Sequence, residues 1–139
     1  MKLDLTSFEK AVEQLQISLN YYNSDLAKKD HGIAQQFRSA CIQGFEYTYE
    51  ISWKMLKRHL EMTAPNPQDF DKMSFPELIR SGNEKDLLLS DVEKWRMYRE
   101  ARGTTSHAYS EKKAVEVFEV IFPFLEEAKF LLKKLKENS

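Results

Sequence analysis

The stretch Arg102-Gly103-Thr104-Thr105-Ser106-His107-Ala108-Tyr109 gathers a permanent cation, three hydroxyls, an imidazole and a phenol in one short segment. An Arg guanidinium grips a phosphate through two parallel charge-assisted hydrogen bonds. His107 titrates near neutrality, so it can accept or give a proton. Thr104, Thr105 and Ser106 lie between them, beside the electropositive start of the next expected helix, a frequent anion site. Together these groups suit phosphate binding, or RNA cleavage by activation of a 2′-hydroxyl without a metal. A structural reading stands beside the chemical one: His107 caps a helix, Arg102 pairs with Glu46 or Glu50, and Tyr109 packs on the core.

Other candidates are weaker. Asp69-Phe70-Asp71 has the D-x-D form of a two-carboxylate metal site. Nucleotidyl transferases carry such a pair on a strand after a Gly-Ser turn. Neither precedes it here, so the segment reads as a solvated loop with no metal. His31 reads as a solvated turn residue. Trp53 and Trp95 sit at helical spacing among apolar residues, which assigns them to a helical interior rather than to base stacking.

The elements that position these groups follow from composition and periodicity. The chain has 139 residues, 42% apolar and 31% charged, with a net charge of −1. This suits one domain with a modest core, spanning residues 1–139, and supplies no overall field for nucleic acid. Only four Gly and four Pro occur, which favours long helices. The single Cys41 excludes an internal disulfide. No signal-peptide pattern and no apolar run of membrane length is visible, so a cytoplasmic protein with no membrane role is expected.

Thr6-x-x-Glu9 has the form of a capping box. It opens a helix carrying Phe8, Val12, Leu15, Leu19 and Tyr22 on one stripe, closed by the polar turn at residues 28–32. A second helix is expected from Ile33 to Met62, with Phe45, Tyr49, Trp53, Leu56 and Leu60 on its buried side. At 1.5 Å per residue it would be about 45 Å long, and only comparably long helices could bury it. Thr63 to Lys72 is a loop, and a short helix starts at Ser74 and stops at Ser81-Gly82-Asn83. Ser90-x-x-Glu93 opens the next helix, with Trp95, Tyr98 and Arg102 on one side and Gly103 as its left-handed cap.

Ser110 begins the last helix. Its stripe Ala114, Phe118, Ile121, Leu125, Ala128, Leu132 and Leu135 is a bundle seam. Val115, Val117, Val120, Phe122 and Phe124 lie off that seam, an excess that points to a partner surface. Pro123 should kink the axis. The expected fold is all-α: an antiparallel up-and-down four-helix bundle with an additional short helix.

Arg102-x4-His107-x-Tyr109 matches the R-x4-H-x-Y signature of HEPN-type helical proteins. The segment Ile42-Gln43-Gly44-Phe45-Glu46-Tyr47-Thr48-Tyr49-Glu50-Ile51-Ser52-Trp53-Lys54 is similar to a second signature, that of the nucleotidyltransferase substrate-binding protein family. The resemblance spans nearly the whole chain. It implies a homodimeric helical bundle encoded beside a small nucleotidyltransferase. That partner would bring the divalent metal and the nucleoside triphosphate, leaving this chain with no cofactor.

Two roles are implied by the resemblance. The leading one is a binding and partner subunit that contacts nucleotide, substrate or RNA through Arg102, Thr104, Thr105, Ser106, His107 and Tyr109. The alternative is a metal-independent ribonuclease toxin with Arg102 and His107 as the catalytic pair, silenced when the partner adds AMP to Tyr109. Many active members carry a polar residue, often Asn, directly after the Arg, where this chain has Gly103.

Overall fold

The computed structural model describes residues 2–107 and 110–138, and for His107 the backbone only. Six α-helices follow one another: α1 (Thr6–Tyr22), α2 (Asp25–Lys29), α3 (His31–Thr63), α4 (Phe75–Glu84), α5 (Val92–Gly103) and α6 (Glu111–Glu137). Two 3-10 turns, Pro67–Phe70 and Thr105–His107, complete the described structure.

Side-chain contacts give the chain directions. Thr48 Oγ1 donates to the Ala11 carbonyl at 3.3 Å, while the Tyr21 and Phe37 rings meet at 5.3 Å, so α1 and α3 run antiparallel. Tyr22 meets Phe118 at 4.4 Å and Lys136 pairs with Glu9 at 2.7 Å, so α1 and α6 are antiparallel too. Arg102 reaches Glu46 while Trp95 meets Tyr49, which sets α5 against α3 in the opposite sense. The four principal helices therefore run up, down, up and down, as the four apolar stripes require. The core is continuous, with Phe8, Phe45, Leu56, Trp95, Ile121, Phe124 and Leu131 fully enclosed. Gly44 lets α1 approach α3: a Cβ there would lie 3.3 Å from Leu15 Cδ1.

Several expectations are corrected. Thr6 does not cap α1; Leu5 holds that position without a side-chain bond, and Asp4 accepts from the Thr6 amide. Helix α1 ends at Tyr22, before the expected turn at residues 28–32, and a further short helix that was not expected, α2, follows with Ser24 as its cap. His31 is the first residue of α3 rather than a loop residue, because Asp30 accepts from the Ile33 amide and starts the helix early. Gly82 does not stop α4. It lies inside the helix, where a Cβ would come within 2.9 Å of Leu88 Cδ1, and the chain instead turns at Asp86, φ 59°.

Asp91 rather than Ser90 caps α5. Gly103 is its last helical residue and has no positive φ, so it is not a left-handed cap. Ser74 and Ser110 do cap α4 and α6, accepting from the Glu77 and Lys113 amides. Helix α6 continues through Pro123. Of its apolar excess, Val117 and Phe124 are buried within this chain, whereas Val115 and Phe122 stay exposed. Among the described residues no helix is long and apolar enough to cross a membrane.

Candidate functional site

Helix periodicity places Glu46, Glu50, Trp53 and Lys57 along one edge of α3, at steps of four, three and four. Arg99 and Arg102 share a face of α5 for the same reason. The two edges face each other, and the capped start of α4 brings Phe75 against them. These elements enclose a cleft of about 610 Å³, with Trp53, Lys57, Phe75, Arg99 and Arg102 on its walls and Tyr49 and Phe70 also lining it.

Arg102 is held on several sides. Its Nη1 lies 3.5 Å from Glu46 Oε2 and its Nε 3.4 Å from Glu50 Oε1. Nη1 also donates to Thr105 Oγ1 at 3.2 Å, and that hydroxyl donates in turn to the Arg102 carbonyl at 2.8 Å. The Arg102 side chain is 34% exposed, so each ion pair is worth about 0–1 kcal/mol. The arrangement orients Arg102 more than it stabilises the fold. The structural alternative, pairing to Glu46 or Glu50, is thus realised with both carboxylates, while the guanidinium still lines the cleft.

The remaining motif residues divide. Thr105 is buried and its hydroxyl is used by Arg102. Thr104 Oγ1 donates to the Ala101 carbonyl at 3.0 Å, and the residue lines a separate hollow of about 260 Å³ with Met97, Glu116 and Val120. Ser106 is exposed, and His107 ends the 3-10 turn. The His107 imidazole and Tyr109 lie outside the described residues.

Trp95 is fully buried as expected, meeting Phe124 edge-on at 6.1 Å. Trp53 is not. It is only half-buried and opens onto the cleft, with Lys54 Nζ 5.7 Å from its ring. Sequence reasoning also passed over Lys57, Ser74, Phe75 and Arg99 as site residues. The stripe continuing from Glu46 and Glu50 through Trp53 to Lys57 was the available signal. The Arg99 guanidinium rests over the Phe75 ring at 4.9 Å.

Burial raises the Tyr49 phenol beyond its ordinary range, with Arg99 and Arg102 pulling in the other direction, so it stays protonated as a wall of the cleft. Burial also pushes the Cys41 thiol up to about 12, which leaves it unreactive. Among the described residues no cluster of three His, Cys, Asp or Glu could hold a metal. Asp69 in the D-x-D segment accepts from Asn66 Nδ2, and Phe70 between the aspartates is buried.

The described residues form an all-helical bundle with a cleft between its helices, an architecture in which ligand sites are built from side chains on facing helices. The chain belongs to the family described as nucleotidyltransferase substrate binding protein like, whose profile matches residues 3–137. It is 39% identical over 101 residues to the Haemophilus influenzae protein named probable ribonuclease HepT, a match covering 73% of this chain and 68% of that one. Its fold is also that of a solved Haemophilus influenzae structure, with TM-score 0.85 and 31% identity over 96% of this chain and 99% of the other. That structure is described as revealing the fold of a substrate binding domain of a nucleotidyltransferase.

Proposed function

We propose that this chain is the binding and partner subunit of a two-protein nucleotidyltransferase system, presenting the Arg102–Tyr109 segment to a nucleotide or RNA phosphate. The observation that carries this reading is Arg102, fixed by Glu46, Glu50 and Thr105 on the wall of a nucleotide-sized cleft in a chain of this family. Ser106, His107 and Tyr109 are proposed as further phosphate contacts, while the Thr104 and Thr105 hydroxyls are engaged by the Ala101 and Arg102 carbonyls. The divalent metal and the nucleoside triphosphate belong to the partner, and the pair works in the cytoplasm.

The chain acts as a homodimer through the face where Val115 and Phe122 are exposed, 45% and 40%, beside the tilted pair of Tyr22 and Phe118 rings. Co-expression with the small nucleotidyltransferase encoded by the neighbouring gene should yield a complex, and partner or nucleotide should raise the melting temperature. A chain that sediments as a monomer, recovers no such partner and melts unchanged would sink the proposal.

A second reading is favoured by the relative named probable ribonuclease HepT. In it Arg102 stabilises the phosphate while His107 takes the proton of a 2′-hydroxyl that attacks the adjacent phosphorus and expels the 5′-oxygen. Tyr109 takes AMP from the ATP that the partner brings, with release of pyrophosphate. RNA degradation in excess EDTA that disappears in His107→Ala supports it. Cleavage surviving that change refutes it.

A further inference from the structure

We infer that the cleft holds a nucleobase-and-phosphate site beyond Arg102, in which Trp53 and Phe75 take the base while Lys57 and Arg99 take its phosphate. The inference rests on the nucleotide-binding reading above, but it requires neither the partner protein nor cleavage.

Charge is the first argument. Arg102 is already compensated by Glu46 and Glu50. Lys57 and Arg99, by contrast, form no ion pair among the described residues, although both line the cleft. Among the described residues Glu50 is the one carboxylate on the cleft walls against three cations, in a chain whose net charge is −1. Two uncompensated cations beside one compensated one mark where an added anion gains most.

Shape and surface are the second. Trp53 departs from the core position of Trp95 and presents part of its indole to the cleft, a costly exposure for so large an apolar surface. Phe75 is half-buried and carries the Arg99 guanidinium over its ring, a cation on an aromatic face that is itself a stacking platform. Aromatic surface alternating with cations is the pattern by which unpaired nucleotides are held, sequence-tolerantly because every base has a π-face. The volume of about 610 Å³ lies in the range of small-molecule sites. The ligand chemistry is a nucleoside monophosphate, either free or as one residue of single-stranded RNA.

The test uses the full chain and calorimetry, supported by tryptophan fluorescence, since Trp95 is enclosed and quenching would report on Trp53. The probes are AMP, UMP, ribose 5-phosphate and a single-stranded adenosine hexanucleotide, with adenosine as the phosphate-free control. AMP and UMP should both bind and quench, and ribose 5-phosphate should bind roughly tenfold more weakly for want of a stacking base. Trp53→Ala should lose about tenfold in AMP affinity while Trp53→Phe keeps most of it. Lys57→Gln and Arg99→Gln should weaken AMP without weakening adenosine.

The hexanucleotide binding more tightly than AMP identifies RNA as the source, and equal binding identifies the free nucleotide; both support the site. Equal affinity for ribose 5-phosphate and AMP overturns it while leaving phosphate binding at Arg102–Tyr109 intact. So does an Arg102→Lys change that costs more than Arg99→Gln. Binding of none of the four probes by folded protein also overturns it, and the partner complex is then judged by its own co-expression experiment.

Discussion

Replacing Glu127 by Gln should remove a pH dependence of stability that one buried side chain imposes. Glu127 sits on α6 with no exposed surface, and its Oε2 accepts from the Leu89 amide at 2.7 Å and the Ser90 amide at 3.3 Å. Burial disfavours the charge and holds the carboxyl above its ordinary 4.5, while the two amides and the Ser90 and Trp95 side chains pull it back. An acid raised in this way keeps its proton in the folded state over a range where the unfolded chain has released it. The resulting stabilisation is complete below about 4.5 and is lost as pH rises through the folded-state value, with a slope of at most about 1.4 kcal/mol per pH unit. Gln keeps a carbonyl for both amides and has no proton to lose. The variant should therefore gain on the parent as pH rises and then run level with it.

Urea unfolding of both proteins from about pH 4 to about pH 8 measures this, because distant carboxylates cancel in the difference. Glu127→Leu provides the contrast. It strands two part-buried amide donors at every pH, at up to about 1–3 kcal/mol each. A parent–variant difference that does not change with pH, or a variant that falls behind as pH rises, would refute the reasoning.

Trp95→Ala empties the centre of the aromatic cluster formed with Tyr98 and Phe124 and should cost about 3–5 kcal/mol in chemical denaturation; a loss below about 1 kcal/mol would contradict its core role. Gly82→Ala should destabilise by about 1–2 kcal/mol, since overpacking against the buried Leu88 and Leu56 outweighs the gain in helix propensity. Gly103→Ala meets nothing within 4 Å and should stabilise by about 0.5–1 kcal/mol, read as a higher melting temperature. Arg102→Lys should change stability by less than about 1 kcal/mol yet weaken nucleotide binding, because the planar contact between Glu46 and Glu50 is lost. Unchanged affinity in that variant would separate Arg102 from the ligand.

Helical periodicity is local, so the sequence by itself determined that Leu15, Leu56, Trp95 and Ile121 would lie on buried stripes and that four long stripes would form a bundle. The caps at Ser74 and Ser110 were legible for the same reason: each needs only the amide three residues on. Thr6 and Ser90 failed as caps because the path by which the chain enters a helix decides which residue holds the non-helical position, and Leu5 and Asp91 took it. Gly82 looked like a stop, since nothing nearby reveals that Leu88 returns to fill the space beside it. Trp53 and Trp95 are indistinguishable by spacing. Only the packing of α4 and α5 on α3 decides that Trp95 is enclosed and Trp53 opens to a cleft. Arg102 was legible with its partners Glu46 and Glu50, but the convergence of Lys57, Phe75 and Arg99 on the same cleft was not. Periodicity fixes which face of a helix a side chain occupies, whereas a cleft is made by faces distant in sequence, and their meeting is a property of the assembled core.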